Sequence, residues 1–324
     1  MNTTQAQLGA VLAAGGPELS RLLELTELRL AEVARDGGPE LAGHATGTLW
    51  AGGKRLRPIL VFLCAAGESG DSLVAAATAV ELLHMATLVH DDVLDGAALR
   101  RGRPTVFATG GRLPATATGD LLFSRAFAEL AGTGSEDAVR ALSAASSALA
   151  RGELMQRADA WSADVTPERY VERCRLKTAS LFEASSRLGA VLGGRAELAA
   201  RLGRFGERIG LAFQMLDDVL DVVGPAERTG KPRGADLLDG TVTLPLILAR
   251  RHDDALRELD PTLDADAAAE ICHRIAATGA LDEARDEALA HVAGAKRSLD
   301  GLELPEGRRQ ALELVADGVV ARYA

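Results

Sequence analysis

The sequence predicts an all-α protein, and three observations carry that reading. Ala and Leu are abundant while aromatic residues make up only 3% of the 324 residues, a composition that favours helix and close helix packing. Apolar residues recur at helical spacing over long stretches, and almost no run of Val, Ile, Thr or Tyr alternates with a period of two. The glycines and the 11 prolines fall mostly between those stretches. With 47% apolar residues the chain has material for a large core.

Taken in order, residues 1–16 are expected to be loosely ordered, ending at Gly15-Gly16. The first strong helix is predicted over about 17–34, where Leu19, Leu22, Leu23, Leu25 and Leu30 form an apolar stripe. Gly37-Gly38-Pro39 breaks it, and a second helix leads to a basic loop over 51–58. Pro58 suits the first turn of the next helix, 59–66. Helix is predicted over about 71–95, then a polar loop over 96–113. Further helices are predicted over about 115–131, 136–160, 167–191, 195–223 and 243–259, with three more in 262–324. The segment 224–241 is the other long loop, and long loops in compact domains are often functional. No linker-like stretch divides the chain, so 1–324 is read as a single domain.

A net charge of −10 argues against nonspecific nucleic-acid binding, so an anionic substrate would need a local basic cluster or metal ions. Cys64, Cys174 and Cys272 are odd in number, far apart and without CxxC spacing. They read as buried small hydrophobes in a reducing cytosol, neither a disulfide framework nor a zinc site. The short apolar stretch 8–14 has no basic region before it, so it is a poor signal peptide. The most apolar span, 74–89, contains Glu81 and His84. A soluble, cytoplasmic protein is expected.

One internal repeat stands out. Asp-Asp-Val-Leu-Asp occurs at 91–95 and again at 217–221, each copy ending an apolar helix and preceding a long loop. Helical spacing puts Asp91 and Asp95 on one face, with Asp92 about 100° away, and repeats this with Asp217, Asp218 and Asp221. A lone acidic pair is usually a solvated helix face. Acids ending buried helices are costly unless cations balance them, so two such clusters suggest metal ions between them. Ligation by carboxylates alone favours magnesium that also binds phosphate oxygens, and no EF-hand loop is present. The basic residues Lys54, Arg55, Arg57, Arg100, Arg101, Lys177 and Lys231 supply the other half. Any one of them could be a surface charge. Together with the acids they describe pockets for two diphosphates, one held through metals and one by Arg and Lys directly.

These motifs resemble those of the trans-prenyltransferases of the polyprenyl synthetase family. The chain carries Gly-Gly-Lys-Arg-Leu-Arg-Pro at 52–58, His-Asp-Asp-Val-Leu-Asp at 90–95 and Arg-Arg-Gly-Arg-Pro-Thr at 100–105. Gly119-Asp120, Gly152-Glu153, Lys177-Thr178, Phe213-Gln214 before the second acidic motif, Gly230-Lys231-Pro232 and Thr243-Leu244-Pro245 follow in the family's order over roughly 45–250. The combination is specific, although single pieces are not. The resemblance implies a bundle of about ten or more helices around a central cavity.

It also implies roles. Lys54, Arg57, His84 and Arg101 would hold isopentenyl diphosphate. Arg100, Lys177, Thr178, Gln214 and Lys231 would contact the allylic diphosphate. Asp91, Asp95, Asp217 and Asp221 would ligate magnesium, about three ions with substrate bound, with Asp92 and Asp218 supporting. The implied reaction is ionisation of the allylic diphosphate, attack by the double bond of isopentenyl diphosphate, and loss of a proton. A homodimer is implied as well. The growing tail should run back along the helix that ends in Asp91. There Ala86 and Thr87 stand where short-chain members tend to carry a bulky aromatic, and Leu83 does not obviously block. Phe123 or Phe127 on the neighbouring helix would be the floor, which favours a medium or long product. The alternatives are a C15 or C20 synthase, helix packing alone at Ala86 and Thr87, a noncatalytic partner subunit, and a terpene cyclase. A partner subunit would be expected to lose its acids. A cyclase would carry Glu where Pro225 stands. Residues 106–118 depart from the family pattern at Phe107, Gly110 and Pro114, with the motif spacing kept.

Overall fold

The computed structural model describes residues 3–36, 43–44, 55–65, 70–100, 102–224 and 233–321. Internal packing divides the chain into two compact units, each assembled from separate segments. One comprises 1–146, 181–206 and 298–315, and the other 147–180, 207–297 and 316–324. The described residues are overwhelmingly helical, as the composition predicts. Most of the predicted second helix, apart from the helical residues 43–44, and most of the basic loop lie outside them.

In the first unit, α1 (Thr3–Arg35) starts earlier than the sequence suggests. Residues 3–15 are helical, and only Gly16, at φ 79°, leaves the helix, immediately before Pro17. A glycine takes that left-handed conformation without a Cβ penalty, and a proline at the start of the resumed helix needs no N–H partner. Leu19, Leu22, Leu30 and Val33 bury the stripe. Helix α2 (Leu56–Cys64) is buried from Pro58 to Cys64 and packs on α1 and on α3 (Asp71–Leu94). A two-residue antiparallel pair, β1 (Leu99–Arg100) with β2 (Arg103–Pro104), and the short α4 (Val106–Gly110) occupy what reads as an irregular loop. Thr105 caps α4 by accepting from the Ala108 N–H at 3.0 Å. Helix α5 (Arg112–Ala131) then packs along α3. By length and composition α3 could cross a membrane, but 67% of its most apolar window is buried in the fold, as in a core helix.

Helix α6 (Glu136–Ala158) brings the chain into the second unit. There α7 (Pro167–Cys174) begins with Thr166 as its cap and Pro167 in its first turn. The helix predicted over 167–191 does run without a gap from Pro167 to Leu192, but its α-helical pattern widens into a five-residue π-turn, Arg175–Ala179, before α8 (Ser180–Leu192). Helix α9 (Ala199–Val223) carries the second acidic motif. The short α10 (Ala235–Leu238) and α11 (Leu244–Ala249) follow, and the predicted helix 243–259 stops after one and a half turns. Helices α12 (Ala265–Ala277), α13 (Ala280–Ser298) and α14 (Glu306–Ala321) are the three expected near the end. All three cysteines are buried and free, as read from their spacing.

Candidate functional site

The first acidic motif ends α3. The Asp95 N–H donates to the Asp91 carbonyl at 2.8 Å, so the helical register that stacks these two residues extends to the cap. Asp92 is the buried member, with 5% exposure, and accepts from Arg100 Nε at 2.7 Å. Arg100 is delivered by the β1–β2 pair, which Thr105 ties down by donating to the Ala97 carbonyl at 2.6 Å. Asp92 therefore supports the motif by aiming a cation.

The same unit sorts the basic loop. Arg55 adopts a left-handed conformation (φ 49°) and is committed to Glu27 at 2.5 Å and Glu81 at 2.7 Å. Arg57, in the first turn of α2, lays its guanidinium 4.5 Å above the Phe182 ring. Lys54 and Arg101 lie outside the described residues. His84 is half-buried on α3, and Thr87 donates to its carbonyl at 2.7 Å. Leu83 and Ala86 are fully buried. The buried side of α5 is Ala115, Thr118, Gly119, Leu122, Ala126 and Leu130. Phe123 and Phe127 lie off that stripe, their rings tilted at 39° with centroids 5.2 Å apart, and Phe123 is 37% exposed. Gly119 has a separate reason. A Cβ there would meet His90 Nε2 at 2.2 Å, and that nitrogen lies 3.2 Å from Asp120 Oδ1. Gly119-Asp120 is thus a seat for the ring that precedes Asp91.

In the second unit the π-turn is fastened on two sides. A Cβ on Gly152 would meet the Lys177 backbone nitrogen at 2.5 Å, so only glycine lets α6 approach this closely. The next residue, Glu153, is ion-paired with Lys177 and accepts from Arg157 Nε at 3.0 Å. Burial alone would raise the Glu153 carboxyl, but Lys177 and Arg157 outweigh it and hold the group below the usual range. On the other side, Thr178 Oγ1 donates to Gln214 Oε1 at 2.7 Å. Gln214 Nε2 donates to Asp218 Oδ1 at 2.8 Å, and the Tyr170 hydroxyl donates to Asp218 Oδ2 at 2.7 Å. Burial pushes the Asp218 carboxyl up to about 7 despite both donors. Asp217 is half-buried. Asp221 accepts from the Asp236 N–H at 3.2 Å and so tethers the start of α10. Lys231 lies outside the described residues.

Of the predicted residues, the structure brings together Asp92 with Arg100 in one unit, and Thr178, Gln214 and Asp218 in the other. Sequence reasoning missed Tyr170 and Phe182, and gave Glu153 and His90 no role. The available signal was the buried acid: Asp218 needed donors, but sequence alone could not say which. Among the described residues no group of three or more His, Cys, Asp or Glu side chains forms a metal cage. Magnesium asks for less. It takes one or two carboxylates and completes its shell with water and substrate phosphate. Asp91 and Asp95 on one helix, and Asp217 on another, carry hard oxygens of that kind and are more exposed than the buried Asp92 and Asp218. The residues present fit the metal.

Comparison with known proteins gives a consistent result. The family model described as polyprenyl synthetase matches residues 39–276. Heptaprenyl diphosphate synthase component 2 of Geobacillus stearothermophilus is 40% identical over 282 residues, covering 85% of this chain and 88% of that protein. A short chain isoprenyl diphosphate synthase of Methanothermobacter thermautotrophicus is 36% identical over 318 residues, covering 94% and 97%. The crystal structure of heptaprenyl diphosphate synthase from Staphylococcus aureus superposes with a TM-score of 0.88 at 29% identity, covering 93% of this chain and 98% of that one.

Proposed function

The chain belongs to the polyprenyl synthetase family, and from that premise we propose that it is a magnesium-dependent all-trans polyprenyl diphosphate synthase of medium or long product length. It extends an allylic diphosphate by head-to-tail condensation with isopentenyl diphosphate. The observation that carries this reading is the division of labour within the acidic motifs. The buried members, Asp92 and Asp218, take protein donors, and Asp91, Asp95 and Asp217 are more exposed, which supports them as the ligands.

Bound magnesium would neutralise charge on the departing pyrophosphate. Lys177 and Thr178, presented by the π-turn, hold the allylic diphosphate, with Gln214 fixed between Thr178 and Asp218. Arg100 and Lys231 are the further cations for it. Lys54, Arg57, Arg101 and His84 take isopentenyl diphosphate. The C–O bond of the allylic diphosphate breaks, the double bond of isopentenyl diphosphate attacks the resulting cation, and the proton leaves with the pyrophosphate. The apolar side of α3, including Leu83 and Ala86, keeps water from the cation.

Relatives at similar identity bear both short-chain and heptaprenyl names, so likeness does not choose a length. The small residues Ala86 and Thr87 favour the longer product. We propose a homodimer. The name of the Geobacillus relative, component 2, motivates a second reading in which a different subunit is also required.

The test is to size the products formed by the purified chain from magnesium, labelled isopentenyl diphosphate and primers from dimethylallyl to C20 diphosphate. Products of C30 or longer support the reading. Products stopping at C15 or C20 keep the enzyme and remove the length assignment. No elongation with any primer favours the two-subunit reading.

A further inference from the structure

Lys177, expected to hold an anion, rests against a carboxylate. The pair is built in. Gly152 brings α6 into contact with the backbone of the π-turn, and the adjacent Glu153 divides its two oxygens between Lys177 and Arg157. Arg157 also reaches Asp239 at 3.6 Å, which holds the far end of the arrangement. Side-chain exposure is 16% for Glu153 and 27% for Lys177, so water screens the pair only partly. A subsite shaped for maximal diphosphate affinity would have no carboxylate at this position, because it cancels one of the charges that attract the ligand.

Each condensation leaves inorganic pyrophosphate, which must depart before the elongated product can be taken up for the next round. We propose that Glu153 competes with the diphosphate for the Lys177 ammonium, so that the allylic subsite gives up pyrophosphate between rounds. This rests on the role assigned to Lys177 above. Glu153 is a positioning residue that acts through Lys177. It receives the ammonium when the diphosphate leaves and surrenders it when an allylic substrate arrives.

The experiment titrates inorganic pyrophosphate, in magnesium-containing buffer, into the full chain by calorimetry. Glu153→Gln removes the charge and keeps an acceptor, and it is expected to bind pyrophosphate about tenfold more tightly than wild type, the scale of one partly screened charge at a few ångströms. Glu153→Ala should shift binding in the same direction, with melting curves confirming that each variant is folded. In steady state the KM for the allylic diphosphate should fall while that for isopentenyl diphosphate stays put. Unchanged or weaker pyrophosphate binding in both variants overturns the proposal. Binding is read without turnover, so a wild-type chain that binds pyrophosphate but elongates nothing counts against the proposed function alone.

Discussion

The Tyr170 hydroxyl sits 2.7 Å from Asp218 Oδ2, and both side chains are buried. Replacing Tyr170 with Phe leaves that carboxyl with Gln214 as its one remaining donor named above. A hydrogen bond to a charged group is worth roughly 1.5–3 kcal/mol, so at a pH well above 7, where Asp218 is ionised, Tyr170→Phe should lower the melting temperature by several degrees. Gln214 and Thr178 lose their backing, so the KM for the allylic diphosphate should rise and that for isopentenyl diphosphate should not. Equal changes in both would detach Tyr170 from the allylic side.

Gly152→Ala is expected to be more damaging than its size suggests. The added methyl meets the backbone of Lys177, which cannot rotate away as a side chain could. Overpacking of this kind costs about 1–3 kcal/mol, and relief would have to come from the π-turn itself. Activity should fall by at least tenfold at a temperature where circular dichroism still reports a folded chain. Near-normal activity would show that the turn has slack.

Asp92→Asn should disorder Arg100. Both partners are mostly buried, and breaking such a pair by removing one charge costs about 3–5 kcal/mol at the upper end. Chemical denaturation should show a large loss of stability, and the allylic KM should rise. If stability holds, Arg100 has another anchor.

Thr87→Phe is a gentler test of product length than Ala86→Phe. Ala86 is fully buried and a phenyl ring there must displace neighbours, whereas Thr87 is half-buried. Both should shorten the longest product seen by chromatography. Products of unchanged length in the folded Thr87→Phe variant would remove Leu83, Ala86 and Thr87 from the tail's path.

The thiols should be silent. Burial pushes Cys64 and Cys174 up to about 12 and Cys272 up to about 11. Thiolate is the reactive species, so at pH 8 a colorimetric disulfide reagent should label none of the three in the native protein and all three after unfolding. Prompt labelling would mean that one of these sites opens readily.

The helices and the acidic motifs were legible because each is local: a period of 3.6 and a spacing of four need only neighbours along the chain. The roles within the motifs were legible in part. Helical phase set Asp92 apart from Asp91 and Asp95, and the structure gives the reason in Arg100. What could not be read depends on segments distant in sequence. The stretch 167–191 has a helical pattern throughout, and its π-turn lies where Gly152, two dozen residues earlier, touches the backbone. Gly15-Gly16 reads as the end of a loose segment, yet only Gly16 leaves the helix, which continues on both sides. The split between Arg55 and Arg57 depends on Glu27, Glu81 and Phe182, which no local window contains.

Both acidic motifs fall at the C-terminal ends of long helices, α3 and α9. Aligned peptide dipoles place about half a negative charge at such an end, where an acidic side chain is unfavourable by roughly 0.3–1 kcal/mol. Each helix therefore terminates as a negative pole that its own carboxylates intensify, and neither has a basic residue in its last turn. The fold gives up stability at these two places, and a divalent cation bound there, as the proposed function requires, would relieve the repulsion of backbone and side chain at once.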